Sequence, residues 1–231
     1  MLINFEKKFI YVRPPKTGST SIVNTFLEPY RNQPSIKIDG LFSTRNLACY
    51  LWEGPGNRNP ELHLLPMKLR ELLGREKFDS YKKIISVRNP FDHALSCYLF
   101  KRISILQLRS KKGAMMQYFL RNPLVFLSQN IFNIRSKKIF LLYLSTVYKP
   151  LDNWLTLDDE FYADFYLRTE KLSEDFLAIN KQLDLNIGPV QELNKNITTN
   201  SEDIYANFLC DEAKEIILKK NPKTFQKLGY K

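Results

Sequence analysis

At 231 residues, with 44% hydrophobic and 26% charged content, the chain has the length and composition of one globular domain, or of one domain with an insertion. No apolar run approaches the ~20 residues that span a bilayer, the first eight residues lack the apolar stretch of a signal peptide, and three cysteines without CxxC spacing argue against a disulfide framework or a zinc site. A reducing, cytoplasmic setting without a bound metal is the expectation, and the formal charge of +11 calls for an anionic partner.

The chain opens on Phe9-Ile10-Tyr11-Val12, a β-branched and aromatic run that reads as a buried strand. Pro14 and Pro15 end it, because proline cannot donate to a sheet ladder. Lys16, Thr17 and Gly18 make a tight loop, and Ser19 is expected to cap a helix whose apolar positions are Ile22, Val23, Phe26 and Leu27. A strand, a tight loop and a helix N-terminus together bind anions through backbone N–H groups and the helix dipole. Lys16 adds a full charge, and Thr17, Ser19, Thr20 and Ser21 add hydroxyls. The Walker pattern is absent, since Lys16 precedes the only glycine of the loop.

Pro29 and Pro34 close that helix, and residues 35–60 read as a long irregular stretch rich in turn residues. A helix is predicted over 66–73, stopped by Gly74. Residues 81–87 form a second buried strand, stopped at Arg88-Asn89-Pro90, with Asp92 expected as the cap of the next helix. Two strands that each end in a ligand-competent turn place both turns at one edge of a parallel sheet. Residues 101–150 read as a basic helical insertion, broken near Pro123. From His93 to Leu151 there is no Asp or Glu; ten of the 35 Lys and Arg lie there, leaving 25 against 24 acids elsewhere. Residues 152–160 read as an acidic connection, 163–168 as a third strand and 171–183 as an amphipathic helix. A polar loop over 191–201 and helices at 211–219 and from Pro222 to Leu228 complete the chain.

Set beside known proteins, Pro15-Lys16-Thr17-Gly18-Ser19-Thr20-Ser21 resembles the 5′-phosphosulfate loop of sulfotransferases that use 3′-phosphoadenosine 5′-phosphosulfate (PAPS). Arg88-Asn89-Pro90, followed by Ser96 and Tyr98, resembles the 3′-phosphate site of that family. The block from Leu167 to Phe176 is similar to a later family segment, with Thr169 where an aromatic is commoner; Leu193-Asn194-Lys195 and Leu228-Gly229-Tyr230 also match in order. The carbohydrate-directed type is the nearest subgroup. The resemblance implies a single α/β domain over 1–231, a central parallel sheet flanked by helices in a phosphate-loop nucleoside-triphosphatase-like fold, with 101–150 as an insertion.

It also implies a donor site in which Lys16, Thr17, Gly18, Ser19, Thr20 and Ser21 hold the 5′ end of PAPS, and Arg88 and Ser96 hold the 3′-phosphate. Lys16 would stabilise charge on the departing nucleotide. Histidine suits the general base, with a reference pKa of ~6.5. By the resemblance that base is His63, with Glu61 in reserve; His93 is expected at the helix surface or the phosphate edge. The acceptor is a saccharide or glycolipid hydroxyl, and the acid-free segment suits an anionic one and allows peripheral membrane contact. Two rivals stay open: a nucleotide-dependent kinase, and a non-catalytic binder of anionic polysaccharide or nucleic acid. No nucleic-acid motif is recognisable, which leaves nucleic acid the least favoured partner.

Overall fold

The computed structural model describes residues 1–38, 41–51, 60–109, 136–190 and 207–230; the side chains of 37–38, 60–61 and 101–109 lie outside that description. The described residues fall into two compact units. One comprises the described residues up to Asn89 together with 151–190; the other comprises 90–109, 136–150 and 207–230. The expectation of one domain with an insertion stands beside this division, and each unit is described by itself.

The first unit is built on a seven-stranded mixed sheet in the order β3-β4-β5-β1-β2-β6-β9. Its strands are β1 (Leu2–Asn4), β2 (Phe9–Val12), β3 (Ile36–Ile38), β4 (Leu41–Ser43), β5 (Leu47–Tyr50), β6 (Lys82–Val87) and β9 (Phe165–Arg168). A separate hairpin pairs β7 (Thr156–Leu157) with β8 (Glu160–Phe161). The expected α/β architecture with a parallel centre holds in part: β2–β6 and β6–β9 are parallel, whereas the remaining five-strand side is antiparallel, so the sheet is mixed and not wholly parallel. Connection length is the physical reason. Only four residues separate β1 from β2, which permits a hairpin and no crossover.

A second correction concerns residues 35–60, which contain the meander β3-β4-β5 where irregular chain was expected. These strands are only three or four residues long, too short for alternation to register. The turn between β4 and β5 is closed by Thr44, whose amide donates to the Leu47 carbonyl at 2.7 Å while its hydroxyl accepts the Leu47 amide at 3.1 Å.

Helix α1 (Ser19–Leu27) covers the sheet because Ile22, Val23, Phe26 and Leu27 fall on one face, and all four are buried. Phe26 is its anchor, with ring centroids of Phe9, Tyr11 and Phe176 at 5.2, 5.5 and 5.3 Å. Truncating it to alanine would cost about 3–5 kcal/mol. The 66–73 helix stands as expected (α2, Pro66–Leu73), and Gly74 turns the chain into α3 (Arg75–Ser80), which the sequence pattern did not reveal. The acidic connection holds a short helix, α6 (Asp152–Leu155), before the hairpin. Helix α7 (Leu172–Gln182) contributes Phe176 and Ile179 to the core.

The second unit packs α4 (Pro90–Arg109), α5 (Lys137–Thr146), α8 (Asp211–Lys220) and α9 (Pro222–Leu228). Its core includes Leu95, Tyr98, Phe140, Leu144, Tyr148, Phe208 and Ile217. Helix α4 starts at Pro90, which needs no N–H at a helix start, so Asp92 sits in the first turn and is not the cap expected. Residues 110–135, including the Pro123 break, and 191–206 lie outside the described residues. Among the described residues no helix is long and apolar enough to cross a membrane.

Candidate functional site

After Val12 the two prolines force the chain out of the sheet, and the loop then turns twice through the left-handed region, at Lys16 (φ 63°) and Gly18 (φ 69°). Glycine adopts that region without strain; lysine does not, and holding Lys16 there costs on the order of 1 kcal/mol. A Cβ on Gly18 would meet only Thr169 Cγ2, at 3.8 Å, so backbone conformation and not space selects glycine. Gly18 is also the N-cap of α1, correcting the expectation that Ser19 caps it; Ser19 is the first helical residue. The Ser21 amide bonds back to the Gly18 carbonyl at 3.2 Å. The amides of Gly18, Ser19 and Thr20 have no acceptor among the described residues, the arrangement that receives an anion at a helix N-terminus.

The hydroxyls divide. Thr20 is exposed, whereas Ser19 and Ser21 are buried. Thr17 is fully buried: its hydroxyl donates to the Pro14 carbonyl at 2.8 Å and pairs with Ser86 Oγ at 2.6 Å. Since Thr17 has one hydroxyl proton and gives it to Pro14, Ser86 is the donor between the two. The side chain expected to face a ligand instead ties the loop to β6.

Parallel pairing brings the next strand end alongside. Val12 is in register with Ile85, and Val87 with Arg168. Arg88, the residue after β6, reaches back so that its Nη1 donates to the Lys16 carbonyl at 3.5 Å. The end of β9 braces this turn twice, through the Thr169 hydroxyl to the Val87 carbonyl at 2.8 Å and through Glu170 Oε1, which accepts the Asn89 amide at 2.6 Å. Arg168 is itself fixed by Asp175, whose Oδ2 accepts its backbone amide at 2.8 Å and its Nε at 2.9 Å. Lys16 and Arg88 are thus held together, as expected from their two turns.

His63 ends the 3₁₀ turn Pro60–His63, and its carbonyl accepts Trp154 Nε1 at 3.3 Å. Its Nδ1 lies 2.7 Å from the Arg13 carbonyl. A carbonyl only accepts, so this network assigns the proton to Nδ1 and leaves the lone pair on Nε2. Burial is the main force driving its pKa down to about 4; the bond to the Arg13 carbonyl opposes this, and the positive charges of the Arg13 guanidinium and the Met1 amine add to the lowering. The ring is a neutral base at physiological pH.

Arg13 is a residue that the sequence pattern did not single out. It is 4% exposed, donates from Nη1 to the Tyr50 carbonyl at 2.9 Å, and has an Nε–H without an acceptor. The available signal was an arginine directly following a four-residue apolar strand, a position that carries it into the sheet layer.

The remaining candidates lie elsewhere. Ser96 and Tyr98 belong to the second unit, where both are buried, and Tyr98 packs against Phe140, Tyr143 and Phe208. His93, expected at the helix surface or the phosphate edge, is fully buried within the second unit, with Nδ1 3.1 Å from the Tyr148 hydroxyl and Nε2 3.5 Å from Cys97 Sγ. The Glu61 side chain and the run from Leu193 to Lys195 lie outside the described residues. Among the described residues no group of three His, Cys, Asp or Glu is placed to hold a metal ion. The chain matches no family model, no curated protein and no solved structure.

Proposed function

We propose that the chain is a sulfotransferase of the phosphate-loop type, moving a sulfuryl group from PAPS to a hydroxyl of a carbohydrate or glycolipid acceptor. One observation carries this reading: a lysine in a left-handed loop at an open helix N-terminus, with the arginine of the neighbouring strand end at its carbonyl. A donor charged at both ends of its adenosine asks for two anion-binding groups on adjacent strand ends.

In this reading the acceptor oxygen attacks sulfur in line, and the bond from sulfur to the bridging phosphate oxygen breaks. Adenosine 3′,5′-bisphosphate leaves, and the acceptor proton passes to His63 Nε2. Lys16 and the amides of Gly18, Ser19 and Thr20 neutralise the charge that develops on the leaving phosphate, and Arg88 anchors the 3′-phosphate. Ser96 is assigned to that phosphate by the resemblance alone. The negative donor raises His63 from its depressed state toward the working pH as it binds.

Titration calorimetry with adenosine 3′,5′-bisphosphate against ATP tests the donor site. Preference for the bisphosphate, and collapse of sulfate transfer from labelled PAPS in Lys16→Ala and His63→Ala, is the expected result. Preference for ATP, or no binding of the bisphosphate, overturns it.

A further inference from the structure

We propose that Arg13 is a substrate-binding residue that receives an oxyanion (a carboxylate, sulfate or phosphate group) on the Nε side of its guanidinium. The side chain is almost wholly buried, yet no carboxylate pairs with it among the described residues. Its plane is fixed by the Nη1 bond to the Tyr50 carbonyl, and its Nε–H donates to nothing among the described residues. The titratable groups that feel its charge are the Met1 amine, Tyr11, Cys49 and His63, and none is an anion at neutral pH. Burial raises the Tyr11 phenol and the Cys49 thiol and lowers the other two, so the guanidinium has no counter-charge among the described residues.

A buried charge without a partner is costly, and a protein that keeps one gains when a ligand supplies the counter-charge. Arginine presents a planar fork that matches oxyanions, and a fork already oriented loses little entropy on binding one. Its position also matters: Arg13 lies three residues before Lys16, and its carbonyl holds His63 Nδ1. An anion at Arg13 therefore offsets one of the charges that depress His63, coupling ligand arrival to the strength of the base. The competing account is a structural arginine that merely ties β2 to Tyr50.

The test is calorimetric titration of inorganic sulfate, at ionic strength matched with chloride, into the wild type, Arg13→Met, Arg13→Lys and Lys16→Ala. Expected are two sulfate sites in the wild type, one of them lost at least about 10-fold in affinity in Arg13→Met and partly in Arg13→Lys but retained in Lys16→Ala, which weakens the separate site at its own loop. The anion-free melting temperature of Arg13→Met should be no lower than that of the wild type, since the uncompensated charge is gone. Unchanged sulfate affinity in Arg13→Met overturns the proposal. Should Arg13→Met fail to fold, full sulfate affinity in a folded Arg13→Lys overturns it equally.

The source of the anion, which depends on the proposed function, is read from two further measurements on Arg13→Met. Unchanged bisphosphate affinity with a raised KM for an acidic acceptor assigns the acceptor's acid. Unchanged bisphosphate affinity with a lowered kcat alone assigns the donor's sulfonate. Absence of bisphosphate binding in the wild type refutes the sulfotransferase reading, and the sulfate titrations still decide the Arg13 assignment.

Discussion

Glu170 Oε1 accepts the backbone amide of Asn89 at 2.6 Å, so a carboxylate at the end of β9 fixes the turn that carries Arg88. The bond runs to the amide next to Arg88, whose Nη1 donates to the Lys16 carbonyl. Glu170 is exposed, which keeps its effect on global stability small. Glu170→Ala is therefore expected to shift stability by less than about 1 kcal/mol. The same change should weaken adenosine 3′,5′-bisphosphate binding about 5-fold or more by loosening Arg88. Equal bisphosphate affinity in the two proteins would show that the brace does not position that residue.

His63 makes a prediction with a definite sign. Its folded pKa of about 4 lies below the ordinary 6.5, so the unfolded chain binds more protons between those values. The stability this ring contributes is complete above pH 6.5 and is lost as pH falls toward 4, by up to about 3 kcal/mol. Denaturant titrations across that window should show the decline in the wild type and a flatter profile in His63→Gln. In kinetics, the acid limb of kcat/KM reports the free enzyme and should fall near 4, with the limb of kcat displaced upward by the bound donor.

How much was legible in sequence follows from where the signals are strong. The strand Phe9–Val12 is a continuous apolar run, the strand ending at Val87 carries Ile84, Ile85 and Val87, and prolines stop both, so their ends, and hence Lys16 and Arg88, can be placed from the order of residues alone. The meander from Ile36 to Tyr50 cannot, because strands of three or four residues among turn residues carry no usable period, and its pairing depends on β1. Thr17 and Arg13 escape for another reason. A hydroxyl in a loop and an arginine beside a proline pair both read as solvent-facing, and only the sheet layer beneath decides that one bonds inward to Ser86 and the other is enclosed. Composition names a side chain's chemistry; its direction is a tertiary fact.

Thr17 gives that distinction a measurable form. Valine has nearly its shape but no hydroxyl, so Thr17→Val removes the bonds to Pro14 and Ser86 and leaves the Ser86 hydroxyl buried with one partner fewer. The expected cost is about 1–3 kcal/mol of stability. Bisphosphate affinity of the folded protein should stay within about 3-fold of the wild type, the size of a small perturbation at a single hydrogen bond. A large affinity loss with unchanged stability would mean that the Thr17 hydroxyl turns to the ligand and not to β6.

Lys16 separates conformation from charge. Its φ of 63° is strained for any residue bearing a Cβ and unstrained for glycine. If the lysine is kept there for its ammonium group, removing the side chain should relieve the backbone while destroying the function. Lys16→Gly is accordingly expected to hold or raise stability, by up to about 1 kcal/mol. Sulfate transfer should fall by about 10²–10³, the scale seen when one donor to a developing oxyanion is removed. Lys16→Val supplies the opposite control, since a β-branched residue suits the left-handed region least and should lose stability and activity together. Melting curves and labelled-PAPS turnover on the same three proteins read both quantities. A Lys16→Gly variant that melts below the wild type by more than the ~1 kcal/mol that glycine's greater freedom in the unfolded chain costs would place the value of Lys16 in packing.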